Sequence, residues 1–278
     1  MRAVVGRGRC SISPRLLEMA QREILRALRE LGVPSRLVRT FPRLPRDTDG
    51  VLIYGSRARG DSLDDSDLDV LALVPAARAS WSVGDISVSF YTADQLASGV
   101  GTLFGAHLRR DSKLLWDPTG LLQRNVGAMG AVDTRRLIQR AHAMSALLTT
   151  QDLDLPKYLE GLLRQARYLL RSCLYAQAID DGEPCFSVRE ISRRLSDPSL
   201  VELLASRQRS VPSQRALDEC VRRLRDLVGE FPESVHGSLE ATVVNEWGKK
   251  SDLLSASFLA LGTTGAGSMY AEVDKILL

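Results

Sequence analysis

The sequence predicts an α+β fold in two parts, with strands confined to the first half and helices dominating the second. Short apolar runs at 51–54, 67–74 and 85–92 have strand length and are bounded by glycine, aspartate or serine. From about residue 134 onward, apolar positions recur every three to four residues over long stretches. A length of 278 residues, at roughly 150 per domain, suits two domains. A composition 44% hydrophobic and 26% charged excludes disordered, collagen-like and disulfide-scaffold chains.

Taken in order, residues 1–12 read as a flexible basic arm. Ser13-Pro14 then opens a helix whose apolar positions are Leu16, Leu17, Ala20, Ile24, Leu25 and Leu28, ending near Gly32. Val51-Leu52-Ile53-Tyr54 is a buried strand that stops at Gly55. The stretch from Asp67 to Val74 alternates at first and then becomes wholly apolar, as expected of a strand that begins at a polar site and continues as core. From Asp85 on, Ile86, Val88 and Phe90 take one face while Asp85, Ser87 and Ser89 take the other. A glycine-rich link at 125–130 separates a first domain, 13–128, from an all-helical domain, 129–261. Helices are expected there at 134–149, 156–179, 187–195, 200–207 and 213–231, followed by a glycine-rich tail at 262–278.

The formal charge of +3 conceals strong segregation. Residues 1–46 hold eleven arginines against three glutamates, a net of +8, while residues 47–85 hold eight aspartates against three arginines, a net of −5. A basic segment beside an acidic one suits a protein that handles polyanions together with metal. Cys10, Cys173, Cys185 and Cys220 are far apart with no CxxC pair, so neither a zinc site nor a disulfide framework is indicated. With no apolar signal region and no run near the roughly 20 apolar residues of a membrane span, a cytoplasmic protein is expected.

Chemistry concentrates between Tyr54 and Asp69. A strand ends in Gly55-Ser56, about ten residues follow, and the next strand opens with Asp67-x-Asp69. Two apart on a strand, the carboxylates point to one side and suit Mg²⁺ or Mn²⁺, hard cations that keep waters and bind substrate phosphates. Gly55 lets the backbone approach a triphosphate and Ser56 adds a hydroxyl donor. An EF-hand loop starting at Asp65 is excluded, because Val70 and Ala76 stand where it needs glycine and glutamate. His107, His142 and His236 have no metal spacing.

On these residues the chain resembles the DNA polymerase β-like nucleotidyltransferase superfamily, with Tyr54, Gly55-Ser56, Asp67 and Asp69 in its hG[GS]…DxD pattern. The resemblance implies a palm with a mixed β-sheet and flanking helices, followed by an all-α helical-bundle domain. It also implies metal-dependent transfer of a nucleotidyl group from an NTP or dNTP. The usual third carboxylate falls at Ser87 or Ser89, which leaves Asp85 as the candidate replacement. Arg57 and Arg59 flank the cradle as candidate phosphate partners, and Lys157 and Arg164 lie on a mostly basic helical stripe that in related enzymes grips the triphosphate.

The glycine-rich tail carries a single tyrosine, Tyr270, a candidate acceptor for the first nucleotide. This arrangement is similar to protein-primed nucleotidyltransferases of bacterial anti-phage defence of the Hailong type. The function expected is therefore template-independent oligonucleotide synthesis, with single-stranded nucleic acid as product. Two alternatives stand beside it: a toxin-like or antibiotic-modifying transferase that nucleotidylates a protein, tRNA or small molecule once, and a decayed nucleotide-binding module. A second copy of the chain and an effector protein are compatible further partners.

Overall fold

The computed structural model describes residues 14–149, 154–204, 212–249 and 251–262. The described residues divide into two compact units, one from 14–98 with 109–128 and one from 99–108 with the residues described after 128. The expected division placed all of 13–128 in the first unit, whereas the structure gives 99–108 to the second.

The first unit runs α1 (Pro14–Glu30), α2 (Ser35–Thr40), β1 (Gly50–Tyr54), α3 (Gly55–Arg59), β2 (Leu68–Leu73), β3 (Trp81–Val83), β4 (Ile86–Tyr91) and α4 (Ala93–Ala97). After the last three residues of α5 (Leu103–Asp111) it continues with β5 (Lys113–Trp116) and α6 (Leu121–Gly127). Its five strands form one mixed sheet in the order β3-β4-β2-β1-β5, with β2 and β4 parallel and the other neighbours antiparallel. The three strands read from sequence are the central ones. The edge strands β3 and β5 escape that reading because they are short and largely accessible on one side, so they lack apolar alternation.

Register sorts the sheet into two faces. Ile53, Val70 and Val88 lie level, as do Val51, Ala72 and Phe90, and this face is buried with Ile24 and Leu28 of α1 and Leu37 and Val38 of α2. Ala20, Ile24 and Leu28 recur every four residues, which gives α1 one apolar stripe. α2 ends at Phe41 because the following Pro42 disfavours helical backbone in the residue before it. On the opposite face, α6 lies against β1 so closely that a Cβ on Gly50 would come within 2.9 Å of the Leu122 Cβ. α4 opens with a capping box: the Gln95 N–H donates to the Thr92 hydroxyl and the Thr92 N–H to the Gln95 side chain. Helix α6 occupies the first part of the stretch read as a glycine-rich link, which begins only after Gly127. Buried Leu122 anchors that helix, which local glycine content did not reveal.

The described residues of the second unit are helical throughout: α7 (Thr134–Met144), a 3-10 turn (Ser145–Thr149), α8 (Leu155–Asp180), α9 (Val188–Arg194), α10 (Ser199–Leu204), α11 (Gln214–Val228), α12 (Leu239–Glu246) and α13 (Asp252–Leu261). Side chains of Ser187, Ser213, Ser238 and Ser251 cap the helices that follow them. Leu162, Leu163, Ala166, Leu169, Leu170 and Cys173 of α8 form the core with Leu217, Cys220 and Leu224 of α11. Burial pushes the Cys173 thiol up to about 12 and that of Cys220 to about 11, so both are held as neutral core residues. No helix among the described residues is long and apolar enough to cross a membrane.

α13 is held onto this core by three contacts. Arg140 binds Asp252 bidentately at 2.7 and 2.8 Å, Arg164 donates to the Leu259 carbonyl, and Gly161 meets Ala260 backbone to backbone. A Cβ on Gly161 would sit 1.8 Å from the Ala260 oxygen, a collision with main chain that no rotamer relieves. Gly161→Ala is therefore expected to destabilise the protein by about 1–3 kcal/mol, the usual cost of overpacking, read as a lower urea midpoint.

Candidate active site

The site is built where β1 ends and β2 begins. Tyr54 pairs with Asp69 across the antiparallel ladder, and Asp69 lies level with Ser87 on β4. Tyr54, Asp69 and Ser87 therefore share one row on the face opposite α1 and α2, with Leu52, Leu71 and Ser89 in the row behind. Asp67 lies one residue before β2, two positions from Asp69, so strand alternation assigns both carboxylates to this side; both are half-buried.

Gly55 brings the two motif halves together. Its φ is +75°, and a Cβ there would stand 2.3 Å from the Asp69 Oδ2. The Asp69 carboxylate thus rests against the bare Cα of Gly55, in a backbone conformation that other residues rarely adopt. α3 starts immediately, and no side chain caps its first turn. The hydroxyl of Ser56 takes no protein partner among the described residues, while the Ser56 carbonyl accepts from Gly60 and Asp61, closing the helix over the left-handed Gly60.

The arginines flanking the cradle serve the loop instead. Arg57 donates to the carbonyls of Leu63, Asp64 and Ser66 and to the Ser62 hydroxyl, at 2.8–3.3 Å. Burial, and then the neighbouring Arg36, lower the Arg57 pKa, against the opposing pull of Asp64, Asp85 and Asp67. Arg57 thereby stitches residues 62–66 together and sets the approach of the chain to Asp67. Arg59 pairs with Asp61 at 3.2 Å and with buried Asp111 at 3.7 Å. Both were expected at phosphates, and here both hold protein groups.

Asp85, expected to supply the third carboxylate, is bound elsewhere. Its carbonyl accepts from the Leu68 N–H at 2.8 Å, but its carboxylate takes a hydrogen bond from Arg36 of α2, which also donates to the Asp64 carbonyl. The guanidinium offsets a charge that would otherwise repel the aspartate pair. At the level of Asp69 the neighbour on β4 is Ser87, whose hydroxyl lies 3.3 Å from that of Ser82. Among the described residues, no three His, Cys, Asp or Glu side chains gather as a metal site.

Two aspartates fit one hard cation nonetheless, because Mg²⁺ commonly binds one or two carboxylates and completes its shell with phosphate oxygens and water. The Asp69 carboxylate lies against the bare Cα of Gly55, which sets one of the two ligands at the cradle.

Tyr54 is a site residue that the motif reading used only as an apolar position. Burial raises its phenol to about 12, and the Asp69 charge adds to this, while a hydrogen bond with Ser89 opposes it. Burial, and then Tyr54, push the Tyr91 phenol up as well. The alternation of Leu52 with Tyr54 could have placed the ring on this face, but its partners depend on register. Arg36 left no local signal, since its partner Asp85 is 49 residues away.

Lys157 and Arg164 belong to the second unit and are engaged there. The Lys157 ammonium lies 3.6 Å from Glu240, and Arg164 donates to the last turn of α13. Arg167 of the same stripe donates to the Leu203 carbonyl at 2.8 Å. Tyr270 lies outside the described residues.

No protein-family model matches this sequence, and no curated protein matches it. Among solved structures the chain is similar to a nucleotidyltransferase-like protein from Exiguobacterium sibiricum. The two are 16% identical over 76% of this chain and 74% of that one, with a TM-score of 0.28, a likeness too slight to carry an argument.

Two outcomes follow from this geometry. Gly55→Ala is expected to displace the Asp69 carboxylate and cost about 1–3 kcal/mol of stability through strain at positive φ, read as a lower urea midpoint. The Tyr54 phenol is held above its ordinary value, so its contribution to stability is complete below pH 10 and is lost as pH rises towards 12. Urea midpoints of Tyr54→Phe measured between pH 9 and 12 should accordingly fall less steeply than those of the wild type.

Proposed function

We propose that this protein is a metal-dependent nucleotidyltransferase that moves an NMP or dNMP from a nucleoside triphosphate to a hydroxyl acceptor and releases pyrophosphate. The observation that carries the reading is the contact between Gly55 and the Asp69 carboxylate, which makes phosphate cradle and carboxylate pair one unit. Asp67 and Asp69 would hold Mg²⁺ or Mn²⁺, with triphosphate oxygens among its other ligands. When bound, the cation supplies charge neutralisation at the phosphates and a lowered pKa for the attacking hydroxyl. Gly55 and Ser56 receive the phosphates through an open backbone and a free hydroxyl. Arg57 fixes the loop that delivers Asp67, and Tyr54 with Ser89 forms the polar wall beside Asp69.

The acceptor in this proposal is a growing oligonucleotide, started on Tyr270, as part of anti-phage defence. Its support is the net +8 of residues 1–46 rather than the α8 stripe, whose cations are engaged within their own unit. A second reading, a nucleotide-binding module that has lost transfer, draws on Ser87 standing beside Asp69 and on Asp85 being bound to Arg36.

Incubation with each labelled NTP and dNTP plus Mg²⁺ or Mn²⁺ separates these readings. A ladder of products is expected for oligomer synthesis, one adduct for single transfer, and binding without incorporation for the decayed module. Asp67→Ala with Asp69→Ala should reduce incorporation more than about a hundredfold, the scale of losing one preorganised electrostatic contact. Adducts that persist on Tyr270→Phe, read by intact mass, would remove that residue as the primer.

A further inference from the structure

Between residues 31 and 46 the chain carries Arg36, Arg39, Arg43 and Arg46 and no acidic residue. The path of this segment is fixed at both ends. At one end Arg36 reaches the Asp85 carboxylate and the Asp64 carbonyl, beside the start of β2 where Asp67 lies. At the other, Asp47 binds Arg78 and the Asp49 N–H donates 2.8 Å to the carbonyl of Leu73, the last residue of β2. Between them Leu37, Val38 and Phe41 are buried beneath the sheet, and Gln21 of α1 donates to the Pro42 carbonyl. The segment therefore runs the length of β2, about 20 Å at roughly 3.3 Å per residue, from the site end of the sheet to the other.

Arg39, Arg43 and Arg46 are all exposed, and none forms an ion pair among the described residues. Arg26, Arg59 and Arg78 of the same unit are by contrast neutralised, by Glu30, Asp61 and Asp47. Three uncompensated guanidinium groups on one short segment, which starts from the residue that reaches the Asp64 carbonyl, suit the repeating charge of a phosphodiester backbone. The single aromatic ring of the segment, Phe41, is buried, so bases find no stacking platform there.

We propose that Arg39, Arg43 and Arg46 form a binding track for the backbone of a single-stranded nucleic acid, which passes Arg36 into the site. This rests on the nucleotidyltransferase reading only in naming the acceptor class. Contact through phosphates alone makes the binding independent of base sequence and steeply dependent on salt.

The test is fluorescence anisotropy of the full chain with a labelled oligothymidylate, without NTP or metal, at 50–200 mM NaCl. Replacing all three residues by glutamine (R39Q, R43Q and R46Q together) is expected to weaken binding at least tenfold. It should also reduce the slope of log affinity against log salt by about 2, at about 0.7 per phosphate contact. The corresponding triple lysine variant should retain the slope, while Arg135→Gln with Arg136→Gln, exposed arginines of the second unit, should change neither quantity. The proposal is overturned if the glutamine variant, with an unchanged melting temperature, binds like the wild type. Equal losses in the lysine and glutamine variants would overturn it too, as would a wild-type chain that binds phosphatidylglycerol vesicles but no oligonucleotide. A wild-type chain that binds oligothymidylate through these arginines yet yields no transfer product with any NTP or dNTP rejects the enzyme reading and leaves the track standing.

Discussion

The first unit is organised by the approach of the Asp69 carboxylate to the bare Cα of Gly55, where a Cβ would stand 2.3 Å from an oxygen. That approach requires β1 and β2 to pair in the register that sets Tyr54 against Asp69, and it requires β1 to leave the sheet through a left-handed backbone. Both conditions are met by the sequence order strand, glycine, short helix, strand. The consequence is chemical, since the residue that ends one strand presents open backbone where the next strand presents its carboxylate.

Around this contact, charge is arranged by neighbours of opposite sign. Several aspartates lie in or near the loop between α3 and β2, and without cations they would repel one another. Arg57 lies half-buried among the loop carbonyls and Arg36 reaches across from α2, so two guanidinium groups stabilise the approach to Asp67 while Asp67 and Asp69 keep their place at the strand. Arg36 also lowers the Arg57 pKa, which is tolerable because a guanidinium stays charged well below its ordinary pKa. The loop geometry is thus electrostatically set by Arg36 and Arg57.

The second unit obtains its order differently, from apolar stripes on α8 and α11 and from serine caps at helix starts. The arginines of α8 illustrate how a surface pattern misleads. Lys157 and Arg164 read as a phosphate grip; here Lys157 lies beside Glu240, and Arg164 and Arg167 each donate to a carbonyl of a neighbouring helix. A basic stripe records only which side of a helix is polar; whether it faces solvent, ligand or another helix terminus depends on packing.

Much of the candidate site was legible because it is local. Gly55, Ser56, Asp67 and Asp69 lie within fifteen consecutive residues, and alternation and apolar runs identified the two strands that carry them. The central strands, the caps and most helices of the second unit follow from intervals of two to four residues, over which backbone geometry is stereotyped. What depends on distant pairing was hidden: the edge strand β5, the bond between Arg36 and Asp85, the placement of Ser87 beside Asp69, and the seating of α13 against Gly161. The sequence by itself determined the central strands and most helices, and where glycine, serine and paired aspartates come together as the candidate site. Only the tertiary structure decided which carboxylates stay together and which arginines are spent on protein, because those outcomes depend on strand register and on side chains reaching across elements far apart in the chain.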